Sequence, residues 1–174
     1  NLSRFTLVGL PDLAVKEAQE RVRTACENSG YRFPSLDLMI NLAPADVKKE
    51  GSAFDLAIIL AILQADGIIE RDVDLSDKCI VGELSLSGEL RPVRGVLSMC
   101  SAAKNAGFRE IFVPMENAEE ASAIEGICVY GTPSMQLLIR HLNGEHFLSP
   151  TESKRYSGED CSLPIDFCEI QGQK

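Results

Sequence analysis

The hydrophobic positions in the first part of the chain predict a strand, a helix and a second strand. The first strand covers residues 4–10, and the helix runs from Pro11-Asp12 to Gly30, because glycine is favoured just after a helix end. Residues 36–42 alternate between apolar and polar, which predicts a half-buried strand with Leu36, Leu38, Ile40 and Leu42 on its inner face. The helix carries apolar residues at helical spacing at Val15, Ala18, Val22, Ala25 and Cys26.

The middle of the chain predicts a buried helix and a hairpin. The helix begins at about Ser52 and is apolar on nearly every side, which is typical of a central, buried helix. Its start, Ser52-x-x-Asp55, fits a capping box in which Asp replaces the usual Glu. Residues 78–84 and 88–93 flank Ser-Leu-Ser-Gly, and this arrangement predicts a β-hairpin.

The rest of the pattern alternates between helices and strands. Helices are predicted from Gly95 to Gly107, from Asn117 with Glu120 as its capping partner, and over residues 132–144. Strands are predicted at residues 110–113 and 127–130. This alternation indicates an α/β fold, while the hairpin argues against a purely parallel doubly wound sheet. Residues 149–158 are polar and rich in turn residues, which predicts a linker.

The charge is unevenly distributed along the 174 residues. The chain has 17 basic and 26 acidic residues, a net charge of −9, and residues 1–50 carry seven of each kind. The acidic balance argues against nucleic-acid binding by the chain as a whole, because such binding needs a concentrated basic patch. If the domain contacts DNA, the candidate residues therefore lie in the charge-balanced first part: Arg21, Arg23, Arg32, Lys48 and Lys49.

The cysteines and histidines do not predict a metal site. The six cysteines form no C-x-x-C motif, and the two histidines, His141 and His146, are far from them in sequence and are interpreted as surface residues near a helix end. Cys26, Cys79, Cys100 and Cys128 fall within apolar patterns and are expected to be buried thiols in a reducing cytoplasm, a compartment that the absence of a recognisable signal peptide also favours. The apolar stretch 56–65 is too short to span a bilayer, which requires about 20 residues.

The chain lacks the usual glycine-rich phosphate loops. No G-x-x-x-x-G-K-[ST] sequence occurs, and no G-x-G-x-x-G follows a predicted strand. Such loops hold phosphates in the common nucleotide-binding folds. We therefore expect no ATP site and no other cofactor site within these residues.

Four segments resemble the N-terminal domain of the YifB/ComM family of magnesium-chelatase-like AAA+ ATPases. They are residues 8–18 (VGLPDLAVKEA), 28–31 (NSGY), 40–51 (INLAPADVKKEG) and 81–88 (VGELSLSG). The resemblance covers residues 1–148 and implies a Lon-protease-like domain of the ribosomal protein S5 domain 2 type, with a mixed sheet packed against helices and with its N-terminus truncated. Residues 165–173 (IDFCEIQGQ) resemble the segment that opens AAA+ modules, so residues 149–174 are expected to be a linker and the lead-in to such a module.

The resemblance also places two residues at the positions of a catalytic dyad. In Lon proteases a Gly-Pro-Ser-Ala-Gly motif carries the nucleophilic serine, and a Pro-x-Gly-Gly-x-Lys motif carries the lysine base. Residues 50–54 (EGSAF) occupy the first motif and residues 92–97 (PVRGVL) the second, so Ser52 matches the nucleophile and Leu97 replaces the lysine. Leucine cannot accept a proton, so we expect a noncatalytic domain. We further expect Leu97 to lie near Ser52 in apolar packing and Ser52 to cap its helix.

The family implies an accessory role in a larger machine. Relatives are hexameric motors with an implied role in DNA branch migration during recombination or transformation, so the expected partners are the AAA+ module, further copies of the chain and DNA, with no membrane. ATP and Mg²⁺ would be cofactors of that module. Two alternatives remain: a serine peptidase that uses Ser52 with a displaced lysine such as Lys104 or Lys49, and a protein-interaction module that recruits partners to the motor.

Overall fold

A strand–helix–strand unit begins the fold. The computed structural model describes residues 4–153. Strand β1 (Phe5–Val8) pairs in parallel with β2 (Leu38–Asn41), and helix α1 (Leu13–Asn28) connects them. Asp12 begins α1, because its Oδ1 accepts a hydrogen bond from the Val15 N–H at 2.8 Å. The five apolar residues predicted for the inner side of α1 are all buried, which confirms the helical pattern.

The inner face of β2 is shorter than predicted. Leu38 and Ile40 are half-buried, but Leu36 is 68% exposed. Leu36 precedes the strand, so the alternation of faces that holds within β2 does not extend to it.

Helix α2 (Asp55–Asp66) is the predicted central helix. Leu56, Ile59, Leu60 and Leu63 are completely buried in it. The remaining elements are, in chain order, β3 (Lys78–Ile80), β4 (Glu83–Leu84), β5 (Leu90–Arg91), α3 (Val96–Asn105), β6 (Glu110–Pro114), a 3-10 turn (Met115–Asn117), α4 (Ala118–Ala121), β7 (Cys128–Thr132) and α5 (Met135–Leu142).

The second sheet separates two hydrophobic cores. Its three strands are parallel in the order β3-β6-β7. Phe112 of β6 belongs to the core around α1, α2 and α5, whereas its neighbours Ile111 and Val113 belong to the core beneath α3 and α4. A parallel sheet covered by helices on both faces is the arrangement that its continuous apolar strands require.

The hairpin is shorter than predicted. It consists of β4 and β5, which pair antiparallel with Glu83 opposite Arg91 and Leu84 opposite Leu90. Residues 78–80 pair instead with β6 in the parallel sheet, so their assignment to the hairpin is wrong. The expected combination of parallel and antiparallel strands with helices is confirmed, but the described strands lie in three small sheets.

Two polar residues have partners that the local pattern did not predict. Asn117 does not cap α4, because its side-chain amide exchanges two hydrogen bonds with the Val93 backbone, at 2.8 and 3.0 Å. His141 is not simply a surface residue, because its ring packs against both Phe112 and Tyr130, with centroid separations of 5.4 and 5.2 Å. In both cases a tertiary contact replaces the predicted role, which was a helix cap for Asn117 and a surface position for His141.

Four of the cysteines are free thiols in the described range. Cys26 and Cys100 are buried as predicted, and burial raises the pKa of each thiol to about 11. Cys79 and Cys128 are only partly buried. Cys161, Cys168 and the predicted lead-in segment 165–173 lie outside the described residues.

Candidate functional site

Three of the segments that carry the family resemblance meet at one end of α2. These are residues 8–18, 40–51 and 81–88. Backbone hydrogen bonds join residues 8–18 to residues 40–51, since the Lys49 N–H donates to the Leu10 carbonyl and the Asp12 N–H donates to the Lys49 carbonyl. Asp12 adds a side-chain contact, because its Oδ2 accepts from the Gly51 N–H at 3.2 Å. Gly82 of the third segment donates to the Ala53 carbonyl at 3.0 Å.

The backbone approach between the first two segments requires a glycine. Gly9 has a φ of +103°, and a Cβ at this position would lie 2.2 Å from the Leu42 carbonyl oxygen. No other residue fits such a close contact between two backbones. The loop before α2 is therefore held against the start of α1 by contacts that are both polar and steric.

Ser52 faces a carboxylate rather than the helix backbone. Its hydroxyl donates to Oε2 of Glu83 on β4. The residue at the N-cap of α2 is Phe54, and no side chain caps the helix. The predicted capping box of Ser52 and Asp55 is therefore wrong, because each of these side chains is engaged by a residue distant in sequence.

Asp55 is held by an ion pair. It is completely buried, and Arg21 of α1 binds it with Nε to Oδ2 at 2.7 Å and with Nη2 to Oδ1 at 2.9 Å. Burial raises the pKa of Asp55, and the Arg21 hydrogen bonds act in the opposite direction. The Asp55 carboxylate in turn raises the pKa of Arg21. The pair joins α1 to the first residue of α2, three positions after Ser52.

An open cleft of about 370 Å³ lies in front of Ser52. Its lining residues are Glu50, Gly51, Ser52, Ala53, Glu83, Pro92, Val93, Arg94 and Met99. The segment before α3 and the start of α3 thus converge on Ser52, as the comparison with Lon proteases predicts. Leu97 is not among the lining residues and is 39% exposed, so the prediction that it is buried in apolar packing is wrong.

The lysines of the peptidase alternative point elsewhere. Lys49 is 5% exposed, and its amine donates to the carbonyls of Pro44 and, at 2.7 Å, Val47. The side chain of Lys104 lies beside Gly126. Within the described part of the chain, the residues that line the cleft include neither lysine nor histidine. The described arrangement therefore offers Ser52 only a carboxylate as a potential base.

The five candidate DNA contacts do not share one environment. Arg21 is committed to Asp55, the Arg23 guanidinium lies 4.5 Å from the centre of the Phe33 ring, and Lys49 is buried. Arg21 and Lys49 are therefore unsuited to phosphate contact in this structure, a correction to the sequence interpretation. Lys48 and Arg32 are exposed, and Lys48 pairs with Glu50 at 2.6 Å.

Sequence reasoning missed Glu83 as a site residue. Glu83 lies within residues 81–88, which contributed to the resemblance without being given a role. Its carboxylate also lies 4.0 Å from the Arg91 guanidinium. The signal that could have identified it is an acidic residue next to a glycine in a family-distinctive segment, but its pairing with Ser52 spans 31 positions.

No metal or membrane feature emerges in the described range. Residues 4–153 contain no cluster of three or more His, Cys, Asp or Glu side chains placed to hold a metal ion. None of the helices in that range is long and apolar enough to cross a membrane.

The fold and the cleft define an α/β domain of the Lon-like class. The family model described as subunit ChlI of Mg-chelatase matches residues 1–117. The chain therefore belongs to the magnesium-chelatase-like family, and within it to the YifB/ComM group.

The relatives support this assignment over nearly the whole chain. It is 38% identical over 173 residues to YifB of Escherichia coli, which covers 99% of this chain and 33% of the relative. It is 39% identical over 173 residues to competence protein ComM of Haemophilus influenzae, covering 98% and 34%. It is 27% identical over 142 residues to Lon protease 2 of Bacillus subtilis, covering 81% and 24%, in agreement with the Lon-like fold class. The chain spans about a third of the length of its YifB and ComM relatives.

Proposed function

We propose that this chain is a noncatalytic accessory domain of a ComM/YifB-type AAA+ ATPase that acts on DNA in recombination or transformation. The observation that carries the noncatalytic part is the state of Ser52, whose hydroxyl is bonded to Glu83 while the lysine position of Lon proteases holds the exposed Leu97. A two-residue mechanism that has lost its base loses nearly all its chemistry. ATP and Mg²⁺ serve the motor module, which assembles as a homo-hexamer in the cytoplasm.

The name of the competence protein ComM supports the DNA role. In this proposal the exposed Lys48 and Arg32 contact phosphate, because Arg21 and Lys49 are bound to buried partners and Arg23 packs on Phe33. The pair of Lys48 with Glu50 is on the surface, so phosphate can replace Glu50 there. Such contacts position a protein on DNA without reading sequence. The domain therefore contributes to DNA engagement by the motor rather than to sequence specificity.

The noncatalytic role is tested with a fluorophosphonate probe on the full-length protein. We expect the wild type to remain as unlabelled as Ser52→Ala, because the described geometry supplies Ser52 with no amine or imidazole base. Labelling of the wild type that disappears in Ser52→Ala would instead support the peptidase alternative.

The DNA role is tested with charge reversal in the same full-length protein. Lys48→Glu combined with Arg32→Glu should weaken DNA stimulation of ATP hydrolysis and reduce its dependence on salt. Arg71→Glu combined with Arg109→Glu, two exposed reversals beyond the charge-balanced region, changes the net charge by the same amount and is the matched control. Equal stimulation in both variants would favour the protein-interaction alternative.

A further inference from the structure

The chain folds back after α5 to form a strap over the sheet. We define the C-terminal strap as residues 146–151. The N–H groups of Glu145 and His146 both donate to the Arg140 carbonyl, at 2.8 and 3.1 Å, and reverse the chain direction. At the other end, the Thr151 N–H donates to the Val129 carbonyl on β7 at 2.7 Å.

His141 holds the middle of the strap. Its Nδ1 accepts a hydrogen bond from the Leu148 N–H at 3.1 Å, and the Phe147 ring meets the imidazole edge-on with centroids 6.1 Å apart. Because Nδ1 is the acceptor, the neutral ring carries its proton on Nε2. An imidazolium has two N–H donors and no acceptor, so it cannot accept the Leu148 bond.

The surroundings favour the neutral ring. Burial lowers the pKa of His141, and the charges of Lys78 on β3 and of His146 act in the same direction, whereas Glu110 on β6 opposes them. Tyr130 on β7 packs against the ring, and Arg140 on α5 pairs with Glu145 at 3.7 Å. The ring is thus neutral at neutral pH and gains its proton on acidification.

We propose that His141 is an acid-sensitive latch for the C-terminal strap: the neutral ring binds the Leu148 N–H, and a proton added to Nδ1 releases the strap from α5. The strap leads into residues 154–174, and the chain covers only a third of its YifB and ComM relatives. The latch therefore controls how firmly this domain is joined to the motor module. That last consequence rests on the proposed accessory role, whereas the latch itself does not.

The test is NMR on the 174-residue chain with two variants of the latch. His141→Asn keeps a side-chain oxygen acceptor and does not titrate, while His141→Phe keeps a ring and removes the acceptor. Imidazole nitrogen shifts at neutral pH should identify the Nε2–H tautomer. The readout is the exchange rate of the Leu148 amide in the wild type divided by the rate in His141→Asn. This ratio should rise about fivefold between neutral pH and about pH 5, which is the factor for one ordinary hydrogen bond.

The remaining variants separate the latch from general acid unfolding. His141→Phe should exchange fast at Leu148 at every pH. His146→Asn should keep the acid-induced rise, with its midpoint at a somewhat higher pH, because the charge of His146 no longer lowers the pKa of His141. An Nδ1–H tautomer at neutral pH, or a ratio to His141→Asn that stays constant with pH, would overturn the proposal. Because the readout is local exchange rather than DNA or ATP activity, either proposal can fail without the other.

Discussion

Helices α1 and α2 both begin with a pattern typical of a capped helix, but only α1 uses it. In α1, Asp12 accepts from the Val15 N–H, three positions away. In α2, Ser52 and Asp55 bind Glu83 and Arg21, which lie 31 and 34 positions away. Asp12 also has a distant partner, the Gly51 N–H, but it binds that group with its other oxygen, so the local cap remains. A cap can therefore be read from sequence where the distant partner leaves the capping oxygen free, and not where charged neighbours take the whole side chain.

The difference follows from burial. Asp12 is only partly buried, so its carboxylate accepts from backbone N–H groups, the local one of Val15 and the distant one of Gly51, at little cost in desolvation. Asp55 is completely buried, and a buried carboxylate requires a cationic partner. Once Arg21 supplies that partner, the start of α2 is fixed without a cap, and the Ser52 hydroxyl is left to bind Glu83. The candidate site thus lies where the local pattern is broken.

Breaking the ion pair should have the largest effect. Asp55→Ala leaves the Arg21 guanidinium without its main partner, although the Arg21 side chain is only 22% exposed. We therefore expect the free energy of unfolding, measured in urea, to fall by about 3 kcal/mol. The matched control is the double variant Arg21→Met with Asp55→Leu, which removes both charges and should be more stable than Asp55→Ala alone. If Asp55→Ala lowered the free energy of unfolding no more than a surface substitution does, the pair would not anchor α2.

Removing the true cap should have a smaller effect. Asp12→Ala deprives the Val15 N–H of its acceptor, and we expect the melting temperature to fall by about 2–4 °C, as for an ordinary cap in a domain of this size. Asp12→Asn retains a side-chain acceptor, so its melting temperature should fall less. Glu20→Ala, an exposed change on the same helix, serves as the control and should melt as the wild type does. If Asp12→Ala destabilised the chain more than Asp55→Ala, the comparison of the two helix starts would be reversed.

The same distinction explains how much of the molecule the sequence predicts. The buried face of α1 and the burial of α2 follow from local periodicity, and both are confirmed. The local pattern assigns residues 78–80 to the wrong sheet because partner choice between strands depends on distant segments. At the site, sequence located Ser52 just before α2 but not Glu83, since nothing local links two positions separated by a helix, α2, and a strand, β3.

The smallest and most direct test is the titration of the two aspartates, followed by carboxyl carbon NMR. Hydrogen bonds from backbone N–H groups, chiefly that of Val15, lower the pKa of Asp12 below its ordinary value of 3.8, whereas burial raises the pKa of Asp55 above it. The two groups therefore affect stability in opposite directions as the pH falls. Between the raised pKa of Asp55 and 3.8, the folded state binds its proton first, so this titration favours folding. Below 3.8 the unfolded state binds the Asp12 proton first, so the stability that Asp12 contributes is lost as the pH falls through its lowered pKa.

In Arg21→Met the Asp55 midpoint should rise further, because the guanidinium no longer favours the carboxylate, while the Asp12 midpoint stays in place. An Asp55 midpoint below that of Asp12 in the wild type would mean that the Arg21 pairing outweighs burial, and that the two helix starts differ in their partners but not in the electrostatic cost of their carboxylates.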